Sequence, residues 1–242
     1  MHITDAEIGA FVATLARAGG LVATAPVVGD NGVPARAKLV FVLVIALTVA
    51  PNRQGIPLAD VGLTAIVELC VGLLTGLCAR FIMQRAAVAG QLFGLTLGLG
   101  FAAQYDVRAG ESAGTIRSII MAISSLVFLS AGGLEAIVHS ATAAPASILH
   151  IGMLGPALLE HGAAAMGNGL ALAAPVVLAA LVGNIGFALI SRAAPAANIF
   201  SIALAGVLVI GGLTLVATSG DLIAGLTADA RAAINVLLGG GS

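Results

Sequence analysis

Tryptophan is absent from this 242-residue chain, tyrosine occurs once, and only 9% of the residues are charged. A soluble domain carries charge on about a quarter of its residues, so this scarcity excludes one. The missing aromatics remove the belt that usually marks the two faces of a bilayer. Two explanations fit: a plain alanine-rich composition, or an outer surface that meets protein instead of lipid. Cysteine occurs twice, at Cys70 and Cys78 in one apparent helix. They stand about 12 Å apart along its axis, too far for a disulfide, and read as small packing residues. No basic region opens the chain, since Asp5 and Glu7 occupy that place and Arg17 interrupts the first apolar run; no cleavable signal is expected. The net charge of −1 argues against nucleic acid as a partner.

What is present is apolar. Hydrophobic residues make up 60% of the chain, and the mean hydropathy is +1.12. The apolar runs lack strand-type alternation, which predicts an all-α integral membrane protein. Bent helical hairpins with about six to seven apolar segments are expected, arranged around a glycine-rich central hairpin.

That central stretch runs from Glu68 to Asp106, and glycines recur through it at four-residue steps: Gly72 and Gly76, then Gly90, Gly94 and Gly98, with Gly100 beyond. A step of four returns to nearly the same helix face, so these positions cut two grooves that let another helix approach closely. The grooves are expected to receive mainly helices of other subunits. Between them lies a polar knot, Arg80, Gln84 and Arg85. A straight helix from Asp60 to Tyr105 would be about 66 Å long, twice the hydrocarbon thickness, and the knot is the expected bend. Counting positive charges on alternate sides leaves Arg192 on the wrong side unless one element does not cross, and the central stretch is the candidate.

Other segments are read as follows. Glu7 to Val28 forms a first element, and a loop with Gly29, Gly32 and Pro34 leads to a short second run that stops at Pro51. Ile119 to Val138 is another run, while His139 to Gly169 is weaker, with Pro145 and Pro156 arguing against a continuous helix. Leu170 to Ile190 and Ile199 to Ala217 are strongly apolar and closely linked, so they form a hairpin. In the tail, Leu222, Leu226, Ala230, Ala233 and Leu237 keep helical spacing, suiting a helix that lies along an interface.

Catalytic chemistry is thinly represented. His139, His150 and His161 recur at eleven-residue steps, but no cysteine or paired carboxylate joins them, and neither a metal nor any other cofactor is expected. Glu68 reads either as a proton-relay acid or as an interfacial glutamate, and Arg17 as an interhelical salt bridge or an interface anchor. Asn184 reads as polar glue between helices. No nucleophile motif or phosphate-cradling loop is present, so the chain is not expected to be an enzyme. The polar break from Asp106 to Arg117, with Arg108, Gly110, Glu111 and Gly114, is open to two readings: an ordinary solvated loop, or a flexible segment facing a water-filled passage.

Three motifs, in order, resemble the FliR family of flagellar export-gate proteins. FVATLARAGGLVATAPVVGDNGVPARAKLVFVLVIALTVAP is similar to the family's opening hairpin, on Arg17, Gly20, Pro26, Pro34 and Arg36. The Glu68–Asp106 stretch resembles its central signature, most recognisably at GLTLGLGFA. SRAAPAANIF resembles its last turn, on Arg192, Pro195, Asn198 and Phe200. The chain departs from the pattern at Val107, in place of a proline, and at Ala205 and Val207, in place of a proline and a lysine.

The resemblance implies a core subunit of a type III export gate in the bacterial inner membrane. It implies FliP-like and FliQ-like partners, a FlhB-like neighbour and unfolded export proteins as substrates. It further implies a FliP-like portion over 1–169, a FliQ-like hairpin over 170–220 and a tail over 221–242. By position it implies a pore plug made of Asp106, Val107, Arg108, Ala109, Gly110, Glu111, Ser112, Ala113 and Gly114. The alternative class is a small secondary transporter, which predicts an internal repeat and a polar midplane site; no convincing repeat links the two halves.

Overall fold

The first helix, α1 (Asp5–Thr24), starts where a threonine and a glutamate cap each other. The Glu7 amide donates to Thr4 Oγ1 at 3.4 Å while the Thr4 amide donates to Glu7 Oε2 at 2.8 Å, satisfying donors that a helix start leaves open. In the computed structural model, residues 4–52, 55–98, 114–143, 148–193 and 199–239 are described. They form α1, α2 (Ala35–Val49), α3 (Leu58–Thr96), α4 (Thr115–Ser130), α5 (Gly133–Thr142), α6 (Ile148–Ala193), α7 (Ile199–Ala217) and α8 (Ser219–Leu237), with a 3-10 turn at Ala50–Asn52. No strand occurs among the described residues. The protein is thus all-α. Among the described residues three helices are long and apolar enough to cross a membrane, or up to five spans if each of two bent helix pairs counts as one.

A tight corner joins α1 to α2. Pro26 cannot continue the helix, and Val27 takes φ 64°, a left-handed value that is costly for a β-branched residue. The Val28 amide then donates back to Pro26 O at 2.7 Å, closing a strained γ-turn. Two side chains hold the corner from outside: Lys38 Nζ donates to Gly29 O at 2.9 Å, and Arg80 of α3 pairs with Asp30 at 3.1 Å. The Arg80–Asp30 pair is one-third to two-fifths exposed. Solvent weakens such a pair, so Arg80→Ala is expected to cost no more than about 1 kcal/mol. Thermal denaturation of the purified chain in detergent checks this.

The polar knot does not break α3. That helix runs unbroken for 39 residues, so the expected bend at Arg80–Arg85 is not a helix break. The reason is that kinks come from proline, glycine or a group inserted into the hydrogen-bond ladder, and none of the knot residues is of that kind. Nor do Gly152 and Pro156 interrupt α6, which is continuous for 46 residues. Apolar helices tolerate proline where neighbouring groups re-satisfy the freed carbonyls.

The chain folds as two units. The first comprises Met1–Met83, Val127–Ala164 and Asp229–Ser242; the second comprises Gln84–Leu126 and Ala165–Ala228. The division falls on α3 inside the polar knot. In the first unit the core gathers Ala18, Leu21, Ile45, Ile82, Phe128, Ile137 and Leu237. Gly132, at φ 92°, turns the chain from α4 into α5, and Gly133 lies so close to the Phe128 ring that no Cβ would fit. The second unit packs Ala89, Phe93, Leu97, Ile120, Val176 and Leu226. All five periodic positions of the tail are buried within these two cores. The tail helix therefore belongs to the body of the chain.

Candidate functional site

The first glycine groove is filled by the chain itself. A Cβ on Gly72 would run into the Arg17 carbonyl oxygen, and one on Gly76 into Thr24 Oγ1, both on α1. α1 answers with glycines of its own: a Cβ on Gly20 would lie 2.6 Å from Leu69 O, and one on Gly9 2.8 Å from Val61 Cγ2. Rising numbers on α1 meet rising numbers on α3, so the two helices run parallel at backbone contact. Thr24 Oγ1 donates across the seam to Leu73 O at 3.1 Å. The expectation that other subunits fill this groove gives way here, because α2 is long enough to return the chain and lay α3 beside α1.

Within the seam, Arg17 Nε and the Glu68 carboxylate form an ion pair, with side chains 5% and 0% exposed. Arg17 also donates through Nη1 to Ala143 O at 2.9 Å, just past the end of α5. That carbonyl sits at the negative end of a helix dipole, where a guanidinium is favoured. Each charge is thus met by an opposite charge or an aligned carbonyl. Without such partners a buried ion would cost several kcal/mol. Of the two readings of Glu68, the interfacial one does not hold, since the side chain is fully buried. Arg17 makes the interhelical salt bridge.

In the second unit, Gly90 lies against α4: a Cβ there would stand 2.8 Å from Arg117 Cα and 3.3 Å from Ile120 Cβ. Gly94, one turn on, is buried, yet among the described residues nothing lies within 4 Å of the place a Cβ would take. Gly98 has a different role from the groove expected of it. It adopts φ 74° and its amide donates to Leu95 O at 3.2 Å, so it ends α3 in a left-handed turn. α6 and α7 pack as an antiparallel hairpin, Phe187 against Gly206 and Gly183 near Ile210. Its outer side carries an open apolar groove of about 600 Å³ lined by Phe187, Ile202, Ala205, Gly206, Val209 and Ile210.

The remaining expected positions are scattered. Pro26 is buried at the α1–α2 corner, Pro34 precedes α2, and Arg36 and Arg192 are exposed. Gly114 immediately precedes α4, and its carbonyl accepts from Ser118 N at 3.2 Å. Gly100, the plug residues Asp106 to Ala113, Pro195 and Asn198 lie outside the described residues. His139 is exposed on α5, and Asn184 is exposed on α6. Two features escaped the sequence reading: the partnership of Arg17 with Glu68, and the Arg80–Asp30 clamp. One arginine and one glutamate inside neighbouring apolar runs were the available signal for the first.

Residues 8–231 match the family described as bacterial export proteins, family 1. The chain is 33% identical over 223 residues to the flagellar biosynthetic protein FliR of Caulobacter vibrioides, covering 86% of this chain and 88% of that protein. The chain belongs to the FliR family. It is also 28% identical over 224 residues to the FliR protein of Escherichia coli, covering 87% and 84% of the two chains. With that of Pectobacterium carotovorum it shares 30% over 207 residues, covering 81% and 78%. The stretch matched to the family takes in the α1–α3 seam with Arg17 and Glu68, Gly94, and both helices of the α6–α7 hairpin. In this FliR-family chain, then, the close-packed glycines and the buried ion pair lie inside the family region.

Proposed function

We propose that this chain is a non-enzymatic, pore-forming subunit of the flagellar type III export gate in the bacterial inner membrane. The observation that carries this reading is the near-complete match to export proteins and to relatives named as flagellar biosynthetic proteins. In this reading the chain assembles with FliP-like and FliQ-like subunits beside a FlhB-like one, and unfolded export substrates pass through the assembly. Residues 1–169 serve as the FliP-like portion, 170–220 as the FliQ-like hairpin and 221–242 as the tail. The exposed apolar faces of α6 and α7, including Leu181, Val182, Ile185, Val209 and Leu213, support a surface made for neighbours in the membrane. Deleting the gene is expected to abolish swimming and flagellin secretion, with both restored by the intact gene in trans. Normal swimming in the deletion strain would contradict the proposal.

Two finer expectations follow from positions in the chain. The groove at Gly94 receives a neighbouring subunit, so Gly94→Leu lowers the yield of purified complex by about tenfold or more. An unchanged complex yield would show that the position is free. The segment from Asp106 to Gly114 plugs the pore, so its deletion leaves assembly intact and makes the membrane leaky to small ions. Conductance equal to that of the parent gate would remove the plug from the account.

A further inference from the structure

Helix α2 divides its residues between two sides. Ile45 and Ala46 are buried, and Phe41, Val42 and Val49 pack against the core of the first unit. On the opposite side Leu39, Val40, Leu43, Val44 and Leu47 are 37–62% exposed. These exposed positions recur at helical spacing, and Arg36 stands one turn before Leu39 and Val40 on the same face. Arg36 is exposed as well. The neighbouring cations are engaged elsewhere: Lys38 Nζ donates to Gly29 O, and Arg80 pairs with Asp30. The outer face of α2 is thus one exposed guanidinium followed by a strip of branched aliphatic side chains.

Two features say what covers this strip. Helices that meet closely in a membrane do so through small residues, as α1 and α3 do at Gly20, Gly72 and Gly76. The exposed strip of α2 is made of leucine and valine instead, which suits acyl chains. Its length points the same way. From Arg36 to Leu47 the helix rises roughly 16 Å, against about 15 Å for the hydrocarbon of one leaflet. A headgroup at Arg36 therefore leaves an acyl chain running beside Leu39 to Leu47.

We propose that the outer face of α2 is a binding site for an anionic phospholipid, with Arg36 on the headgroup and the Leu39–Leu47 strip along an acyl chain. The strip alone would accept any lipid, so selectivity comes from the charge at its head. A single arginine at the bilayer surface favours a net-negative lipid over a zwitterionic one by about fivefold. The proposal needs α2 to lie in the bilayer and does not depend on the export-gate reading.

The chain has no tryptophan, so Val44→Trp places a lone fluorescent reporter on this face. The full-length variant is reconstituted in bilayers containing either dibrominated phosphatidylglycerol or dibrominated phosphatidylcholine, whose bromines quench tryptophan on contact. Quenching is expected to show about a fivefold preference for phosphatidylglycerol, falling to about one with Arg36→Gln and largely kept with Arg36→Lys. Val182→Trp, on the exposed apolar face of α6, is the control and is expected to show no preference with or without Arg36. Equal quenching by the two lipids at Val44→Trp, or a preference that survives Arg36→Gln, overturns the proposal. In intact cells, a benzophenone side chain in place of Leu43 is expected to crosslink to lipid on illumination. A protein adduct there gives the face to a neighbouring subunit and overturns the lipid site, and this second measurement decides should Val44→Trp fail to accumulate.

Discussion

Gly72→Leu is expected to cost about 3 kcal/mol or more, a large part of the margin by which a domain holds its fold. The cost arises because a Cβ at Gly72 meets the backbone of α1, at the Arg17 carbonyl and within 3.0 Å of Leu21 N. Backbone cannot rotate aside as a side-chain tip can, so the two helices must part. Parting them also separates Arg17 from Glu68, and the steric and electrostatic losses add. The control is Gly19→Leu, on α1, where among the described residues nothing lies within 4 Å of the added Cβ. That change is expected to stay within about 0.5 kcal/mol. Retention of monodisperse chain after graded heating in detergent measures both, and equal losses would show that contact with α1 is not what the glycine provides.

Glu68→Ala is expected to cost about 3–5 kcal/mol, because it leaves the Arg17 guanidinium buried without its carboxylate. Removing one partner is worse than removing both, so Arg17→Met added to Glu68→Leu should recover much of the loss. Arg17→Lys should fall between, since an ammonium keeps the charge but lacks the fork that reaches both Glu68 and the Ala143 carbonyl. The same heating series ranks the variants. If Glu68→Ala proved no worse than Arg80→Ala, whose carboxylate partner is partly exposed, the burial argument would fail.

These two positions also show how far the sequence could be read. The four-residue glycine steps were visible in the chain itself. Their partner was not, because Gly72 meets Arg17 and Leu21, some fifty residues earlier, and only the return through α2 brings them together. Arg17 and Glu68 each stood out as charges in apolar runs, yet pairing them needed the same knowledge. Gly98 was indistinguishable from its neighbours by spacing, and only its positive φ reveals a helix end. The tail was clearer, since the stripe from Leu222 to Leu237 depends on local periodicity alone. The continuity of α3 through Arg80–Arg85 and of α6 through Pro156 ran against local signals. Both are helix interiors in an apolar fold, where tertiary context overrides propensity.

The central claim is that this FliR-family chain works as one subunit of a larger export gate. Affinity purification of the tagged chain from native membranes, followed by native mass spectrometry, tests it most directly. The account predicts a defined complex in which this chain is joined by several copies of FliP-like and FliQ-like subunits. A stable monomer, with no such subunits retained under mild extraction, would contradict it.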